Sequence, residues 1–188
     1  MNVYDFDQTI FYPDSSYCFL MHCLKKYPAA FLPLVPGVIV LGAGKLLGVT
    51  STKRVKEKIF SFVKRVPDVD AELELFWNDH LKNIQPWYLA KKRADDLIIS
   101  ASPDFIVRPA AEKLGVRLIA TPMDRRSGKI EGKNCHDHEK VRRFRNEYPG
   151  EKVEEFYSDS RHDLPMAKLA GKAFIVKRGR LSPWPDKK

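Results

Sequence analysis

The chain has 188 residues, 44% of them hydrophobic, with 33 Lys and Arg against 24 Asp and Glu for a formal net charge of +9. That length carries one core domain of about 100–150 residues plus a small insertion. No repeat or long low-complexity tract is visible, and the three cysteines (Cys18, Cys23, Cys135) have neither a pairing pattern nor a metal-ligand spacing, which excludes a disulfide scaffold. The basic balance favours anionic partners: phosphate esters, nucleic acid or an anionic membrane surface.

Residues 2–9 read as a short strand running into a loop. A strand so close to residue 1 leaves no room for a signal peptide, so a cytoplasmic location with reduced thiols is expected. Residues 13–92 read as a helical block. Ser15 or Ser16 caps a helix through Leu24. An apolar tract from Ala29 to Val49 follows, interrupted by Pro33, Pro36, Gly37, Gly42, Gly44 and Lys45. A basic helix is expected from about Thr52 to Val66, with Ile59, Phe60 and Val63 on one side. Another amphipathic helix runs from about Asp70 towards Trp87.

From Asp96 the pattern alternates. Leu97-Ile98-Ile99 is a short apolar run ending at Ser100, as in a buried parallel strand. Pro103 opens a helix through Leu114, with Gly115 just past its end. Val116 to Ala120 is a strand, Arg125-Arg126-Ser127-Gly128 a hairpin turn, and 138–147 a helix. Val153 to Tyr157 is a strand ending at Ser158-Asp159. A short helix and the strand Ala173 to Val176 complete an α/β half with a mainly parallel sheet.

The reaction-capable residues lie where the strands end. Asp5-Phe6-Asp7-Gln8-Thr9 places two carboxylates two positions apart, on one side if the strand continues. Two carboxylates held that close repel unless a cation or phosphoryl group lies between them. One can attack an electrophile while the other handles a proton. Ser100 and the segment Ser158 to Asp163 each follow another predicted strand, and open α/β sheets bind ligands beyond the carboxyl ends of their strands.

Two tempting motifs fail. Leu41-Gly42-Ala43-Gly44-Lys45-Leu46 lacks the earlier glycine and the hydroxyl residue of a phosphate-binding loop, since those positions hold Ile39 and Leu46. Cys135-His136-Asp137-His138 is too tightly spaced for ordinary zinc chelation and reads as a loop bordering the site.

With these residues in place, the chain resembles haloacid-dehalogenase-superfamily phosphatases, of the subfamily IB kind with a helical cap between the first and second motifs. Asp5-x-Asp7-x-Thr9 matches the first motif, Ser100 the second, Lys140 in His138-Glu139-Lys140-Val141 the third, and Ser158-Asp159-Ser160-Arg161-His162-Asp163 the fourth. Ser158 stands where a glycine is common. The resemblance implies a Rossmann-like core from residues 1–12 and 93–188, with a C1-type cap at 13–92.

It also implies roles. Asp5 is the nucleophile, forming an aspartyl-phosphate, and Asp7 the acid and base. Thr9, Ser100, Ala101 and Lys140 hold the phosphoryl group. Asp5, the Asp7 carbonyl and Asp159 hold Mg2+, with Asp163 behind them. Ser102 is the rival of Ser100, and Lys133 of Lys140. Asp7 favours phosphatase over dehalogenase, because halide leaves unprotonated whereas an alkoxide needs an acid.

The insert is expected to select the substrate. Its apolar tract, about 20 residues with its flanks, approaches the length of a membrane span. It forms either an internal cap core or a surface that dips into a bilayer. The basic segment Lys53, Arg54, Lys56, Lys58, Lys64 and Arg65 would then meet anionic headgroups. The pattern is similar to phosphatidylglycerophosphatases of the C type. A lipid phosphate is therefore one expected substrate, and a small phosphorylated metabolite the other. Asp14 falls where phosphoserine phosphatases carry a substrate-facing acid, but no cap arginine is evident. Nucleic-acid binding is disfavoured, because basic and acidic residues are interspersed.

Overall fold

The computed structural model describes residues 1–185. A six-stranded sheet has the order β3-β2-β1-β4-β5-β6. The strands are β1 (Val3–Tyr4), β2 (Leu97–Pro103), β3 (Arg117–Thr121), β4 (Glu155–Ser158), β5 (Lys172–Lys177) and β6 (Arg180–Pro183). The first five are parallel, and β6 returns antiparallel along β5. The sequence did not announce β6, an exposed edge strand with little apolar signal.

Strand order places the site. Val3 pairs with Leu97 on one side and Phe156 on the other. From β1 the chain builds outward through β2 and β3, then returns to the other side of β1 as β4. The reversal opens a crevice beyond the carboxyl end of β1, where doubly wound sheets bind ligands. β2 is buried along nearly its whole length, as a parallel strand covered on both faces must be. It runs on through Ser100 to Pro103, so both serines lie within it.

Behind β2, α7 (Asp104–Leu114) buries Phe105, Ile106, Ala110, Ala111 and Leu114 against the sheet and ends at Gly115, whose φ of +68° is the left-handed cap that glycine permits. α8 (His138–Glu147) and α9 (Leu164–Leu169) complete this half.

Six helices separate β1 from β2: α1 (Ser15–Lys26), α2 (Pro28–Phe31), α3 (Val35–Leu46), α4 (Thr52–Phe60), α5 (Val69–His80) and α6 (Pro86–Lys91). Asp14 caps α1, its Oδ1 accepting from the Tyr17 amide at 2.7 Å, instead of Ser15 or Ser16. The helix expected from Asp70 to Trp87 is two. It stops at His80, Ile84 bridges to Phe11, and Pro86 restarts the chain as α6 in the first-turn position where a missing N–H is harmless. The apolar tract is helical despite its prolines for the same reason: Pro28, Pro33 and Pro36 each fall in the first turn of a helical segment.

The insert is no free lobe. Phe19, Phe76 and Trp77 share one apolar core with Tyr4, Phe6, Phe11 and Phe105. Trp77 stacks edge-on to Phe6 and Phe11, and its Nε1 donates to the Ile106 carbonyl at 2.8 Å. The apolar tract behaves differently. Only Ala30 and Leu34 are buried, and α3 buries no residue at all. The tract is thus mostly exposed, with Leu34 in the core and Phe31 and Val38 packed against it.

Candidate active site

β1 ends at Tyr4, so Asp5 and Asp7 lie on the turn beyond it, not on a continuing strand. Phe6 points away from them into the apolar core and anchors the turn. Gln8 closes it at φ +57°, uncommon for a residue with a side chain. The two carboxylates acquire different partners. Asp5 Oδ1 accepts from Lys140 Nζ at 2.8 Å. Asp7 Oδ1 accepts from the Ser15 amide at the start of α1 (2.6 Å), and its Oδ2 from the Ser102 hydroxyl.

Lys140 is 2% exposed and bridges two acids, donating to Asp163 Oδ2 at 2.8 Å as well as to Asp5. Ser158 adds a bond to the same Asp163 oxygen at 2.7 Å. Burial alone would lower the Lys140 pKa; Asp5 and Asp163 overcome it and hold the ammonium above its ordinary value. Lys133 is exposed and takes no part.

Ser100 and Ser102 lie two apart on β2 and share a face, both buried. Ser102 touches Asp7 and accepts a bond from Ser16 Oγ at 2.9 Å, while Ser100 Oγ accepts from the Ser102 amide. The Thr9 hydroxyl is fully buried and accepts from the Asp159 amide at 3.0 Å. Its side chain thus ties the loop after β1 to the loop after β4, a positioning contact where the sequence suggested a substrate contact.

The cluster is short of positive charge. Among the described residues Asp5 and Asp163 share the buried Lys140, and Asp159 lies near enough to add its charge to both. Burial, reinforced by Asp163 and Asp159 against the opposing Lys140, pushes the Asp5 carboxyl up to about 8. Burial and Asp163 also raise Asp159, against the pull of Lys177. Burial, then Asp14, pushes Asp7 up to about 6. Among the described residues no three His, Cys, Asp or Glu side chains form a ready metal cage. Two carboxylates and a main-chain carbonyl, completed by water, nevertheless suit magnesium, which keeps several waters and takes hard oxygen ligands.

Sequence reasoning missed the role of Lys56. It was expected to face headgroups. Instead its Nζ donates to the Ala101 carbonyl (2.7 Å) and to Asn134 Oδ1 (3.0 Å), and burial lowers its pKa to about 8 despite Asp7 and Asp14. Lys53 likewise bonds the Gly132 carbonyl at 2.8 Å, and Glu57 accepts from the Ile130 amide at 3.0 Å. The spacing of 53, 56 and 57 on α4 was the available signal, a polar face at helical period. Cys135 is buried beside the site, its amide donating to Thr121 Oγ1, and the His136 and His162 rings lie 5.3 Å apart at the rim.

A turn bearing two carboxylates at the switch point of a parallel sheet, with an inserted helical cap, defines a capped α/β hydrolase. The chain belongs to the haloacid dehalogenase-like hydrolase family, whose model matches residues 3–168. Protein CicA of Caulobacter vibrioides is 28% identical across 94% of this chain and 86% of its own. A protein of unknown function from Bordetella pertussis Tohama I has a similar fold, with TM-score 0.73, 22% identity, and coverage of 92% of this chain and 87% of that one. So does a phospho-aspartyl intermediate analogue of phosphoserine phosphatase, with TM-score 0.54, 18% identity, and coverage of 91% and 83%.

Proposed function

We propose that this hydrolase cleaves phosphate monoesters through an aspartyl-phosphate on Asp5. The observation that carries the reading is the division of labour between the two acids: Asp5 is paired with a buried lysine, while Asp7 is held apart from it at a helix N-terminus with a raised pKa. A carboxylate oxygen of Asp5 attacks phosphorus in line with the ester oxygen. As the P–O bond breaks, Asp7 gives its proton to the leaving oxygen. Water then attacks the acyl phosphate, Asp7 takes its proton, and phosphate leaves with Asp5 restored as a carboxylate.

Ser100, the Ala101 main chain and Lys140 hold the phosphoryl oxygens. Asp163 keeps Lys140 aimed, and Thr9 keeps the Asp159 loop in place. Asp5, the Asp7 carbonyl and Asp159 would hold Mg2+, which supplies charge neutralisation at the phosphoryl oxygens. The likeness to a phosphoserine phosphatase captured as a phospho-aspartyl analogue supports the same intermediate here.

Residues 1–12 and 93–188 form the catalytic core in this proposal and 13–92 the cap, as in subfamily IB. The substrate is a lipid phosphate such as phosphatidylglycerophosphate, met in the cytoplasm at an anionic membrane. The exposed apolar cap segment favours it. The second candidate is a small soluble phosphate ester. Lys56 with Asp14 beside Asp7 favours that reading, as a cation and an acid suited to a zwitterionic leaving group.

The test is hydrolysis of an aryl phosphate with magnesium and with chelator, for the wild type and Asp5→Asn. Both chelation and the substitution are expected to abolish turnover. Undiminished activity in Asp5→Asn overturns the mechanism. A panel of phosphatidylglycerophosphate, phosphoserine and sugar phosphates then ranks the substrates.

A further inference from the structure

We propose that the segment from α2 to α4 is a docking surface for an anionic bilayer, entered by the loop that joins α3 to α4. Leu46, Leu47 and Val49 at that loop are 91%, 79% and 76% exposed. Leu32, Val35, Ile39 and Val40 extend the exposed aliphatic strip. Beside it lies an open apolar groove of about 350 Å3, lined by residues that include Leu20, Leu24, Phe31, Val38 and Ile59. Soluble monomers rarely leave contiguous apolar surface of this kind uncovered.

Charge identifies the occupant. Residues 28–60 contain five Lys and Arg against a single acid, Glu57, and the flanking residues 15–27 and 61–67 add four more Lys and Arg and no acid. Lys45 and Arg54 are exposed within five residues of the loop, and Lys25, Lys64 and Arg65 are exposed in the flanking residues. Aliphatic side chains set among basic ones match the acyl boundary and anionic headgroups of a bilayer. A second copy of the chain would bring two faces of like charge together. Nucleic acid would favour stacking aromatics, whereas this strip is aliphatic.

The surface lies on the bilayer and does not cross it. The continuous helical run Pro28–Leu46 has 19 residues, about 28 Å at 1.5 Å per residue and close to a hydrocarbon core of about 30 Å, so its anchoring, not its length, keeps it on the surface. Its root is fixed: Phe31 stacks on Phe62 with centroids 4.6 Å apart, and Leu34 is buried. Its inner face rests on α4, with the Lys58 stem against Gly37. From Ser51, just past the loop, to Lys56 at the catalytic cleft is about 7.5 Å of helix rise. A headgroup phosphate at the membrane surface is thereby brought to the cleft mouth. This link rests on the lipid-phosphate reading above. Vesicle binding is measured without turnover, so the two proposals fail separately.

The full chain is sedimented with vesicles of phosphatidylcholine alone or mixed with phosphatidylglycerol. Binding is expected to the mixed vesicles and to weaken with salt. Leu46→Glu/Leu47→Glu should weaken it by at least about tenfold, since two leucines leave the acyl boundary and two anions face the headgroups. Lys45→Glu/Arg54→Glu should weaken it too, and all variants should keep wild-type turnover of a soluble aryl phosphate. Leu47→Trp provides a direct reporter whose emission should shift to the blue with mixed vesicles. Absence of wild-type binding, wild-type binding by Leu46→Glu/Leu47→Glu, or an unshifted Leu47→Trp spectrum overturns the proposal. A self-association abolished by the double glutamate variant, without vesicle binding, would assign the surface to a second copy instead.

Discussion

Replacing Lys140 by Met keeps the length of the side chain and removes its charge. In the wild type the ammonium makes two bonds of 2.8 Å, to Asp5 and Asp163, in a position 2% exposed. Without it Asp5 and Asp163 lose the cation they share. Breaking a buried ion pair by deleting one partner costs about 3–5 kcal/mol. In a chain of this size each kcal/mol moves the melting temperature by about 2–4 °C, so a drop of roughly 6–20 °C is expected at alkaline pH, where Asp5 is ionised. The Asp5 carboxyl is already pushed up by burial, and more strongly so without Lys140. As pH falls through that raised value the acid takes up a proton, the repulsion ends, and the deficit shrinks. Turnover should fall by about 10²–10³, the usual loss on removing one preorganised donor to a transition-state oxygen. Thermal melts at about pH 6 and about pH 10, on either side of the raised Asp5 value, with aryl phosphate turnover, check both. Adding Asp163→Asn to Lys140→Met should restore part of the stability and none of the activity. A melting temperature at about pH 10 within about 2 °C of wild type, or activity above about a tenth of it, would refute the account of this bridge.

Asp7→Asn should lower kcat/KM for alkyl phosphates by about 10²–10⁴ and affect an activated aryl ester much less. Equal losses on the alkyl and the activated aryl ester would contradict the acid role of Asp7. Glu72 is buried and accepts from Lys26 (2.6 Å) and the Tyr27 hydroxyl (2.7 Å), with His22 at 2.9 Å. Burial alone would raise its pKa, but these bonds hold it below the ordinary value. Glu72→Gln should therefore destabilise the α1–α5 contact by about 1–3 kcal/mol at neutral pH. That difference should fade as pH falls through the lowered value, as urea titrations at two pH values would show. Gly128 has φ +71°, and a Cβ there would stand 2.5 Å from the Phe60 carbonyl oxygen and 2.9 Å from the Ser61 nitrogen. Gly128→Ala should cost about 1–3 kcal/mol and destabilise more than Gly132→Ala, which has open space around it; equal melting temperatures for the two variants would contradict the close approach.

Some of this protein is a property of the chain read residue by residue. Apolar runs at Leu97–Ile99 and Ala173–Val176 give strands because only a doubly covered parallel sheet buries every position of a run. The pair Asp5 and Asp7, with Ser100, Lys140 and Ser158 to Asp163 at element ends, was legible for the same reason: in a parallel sheet the carboxyl ends of strands converge. Tertiary structure alone decided which group each side chain meets. Lys140 over Lys133, Thr9 as a tie to the Asp159 amide, and Lys56 turned inward to Ala101 all depend on partners dozens of residues away. The apolar tract makes the same point in reverse. Its hydropathy fitted a buried helix and a bilayer surface equally well, since both reward leaving water. Tertiary packing turns Phe31 and Leu34 inward and leaves Leu46 and Leu47 outside, a placement that hydropathy does not specify because it carries no partner for either end.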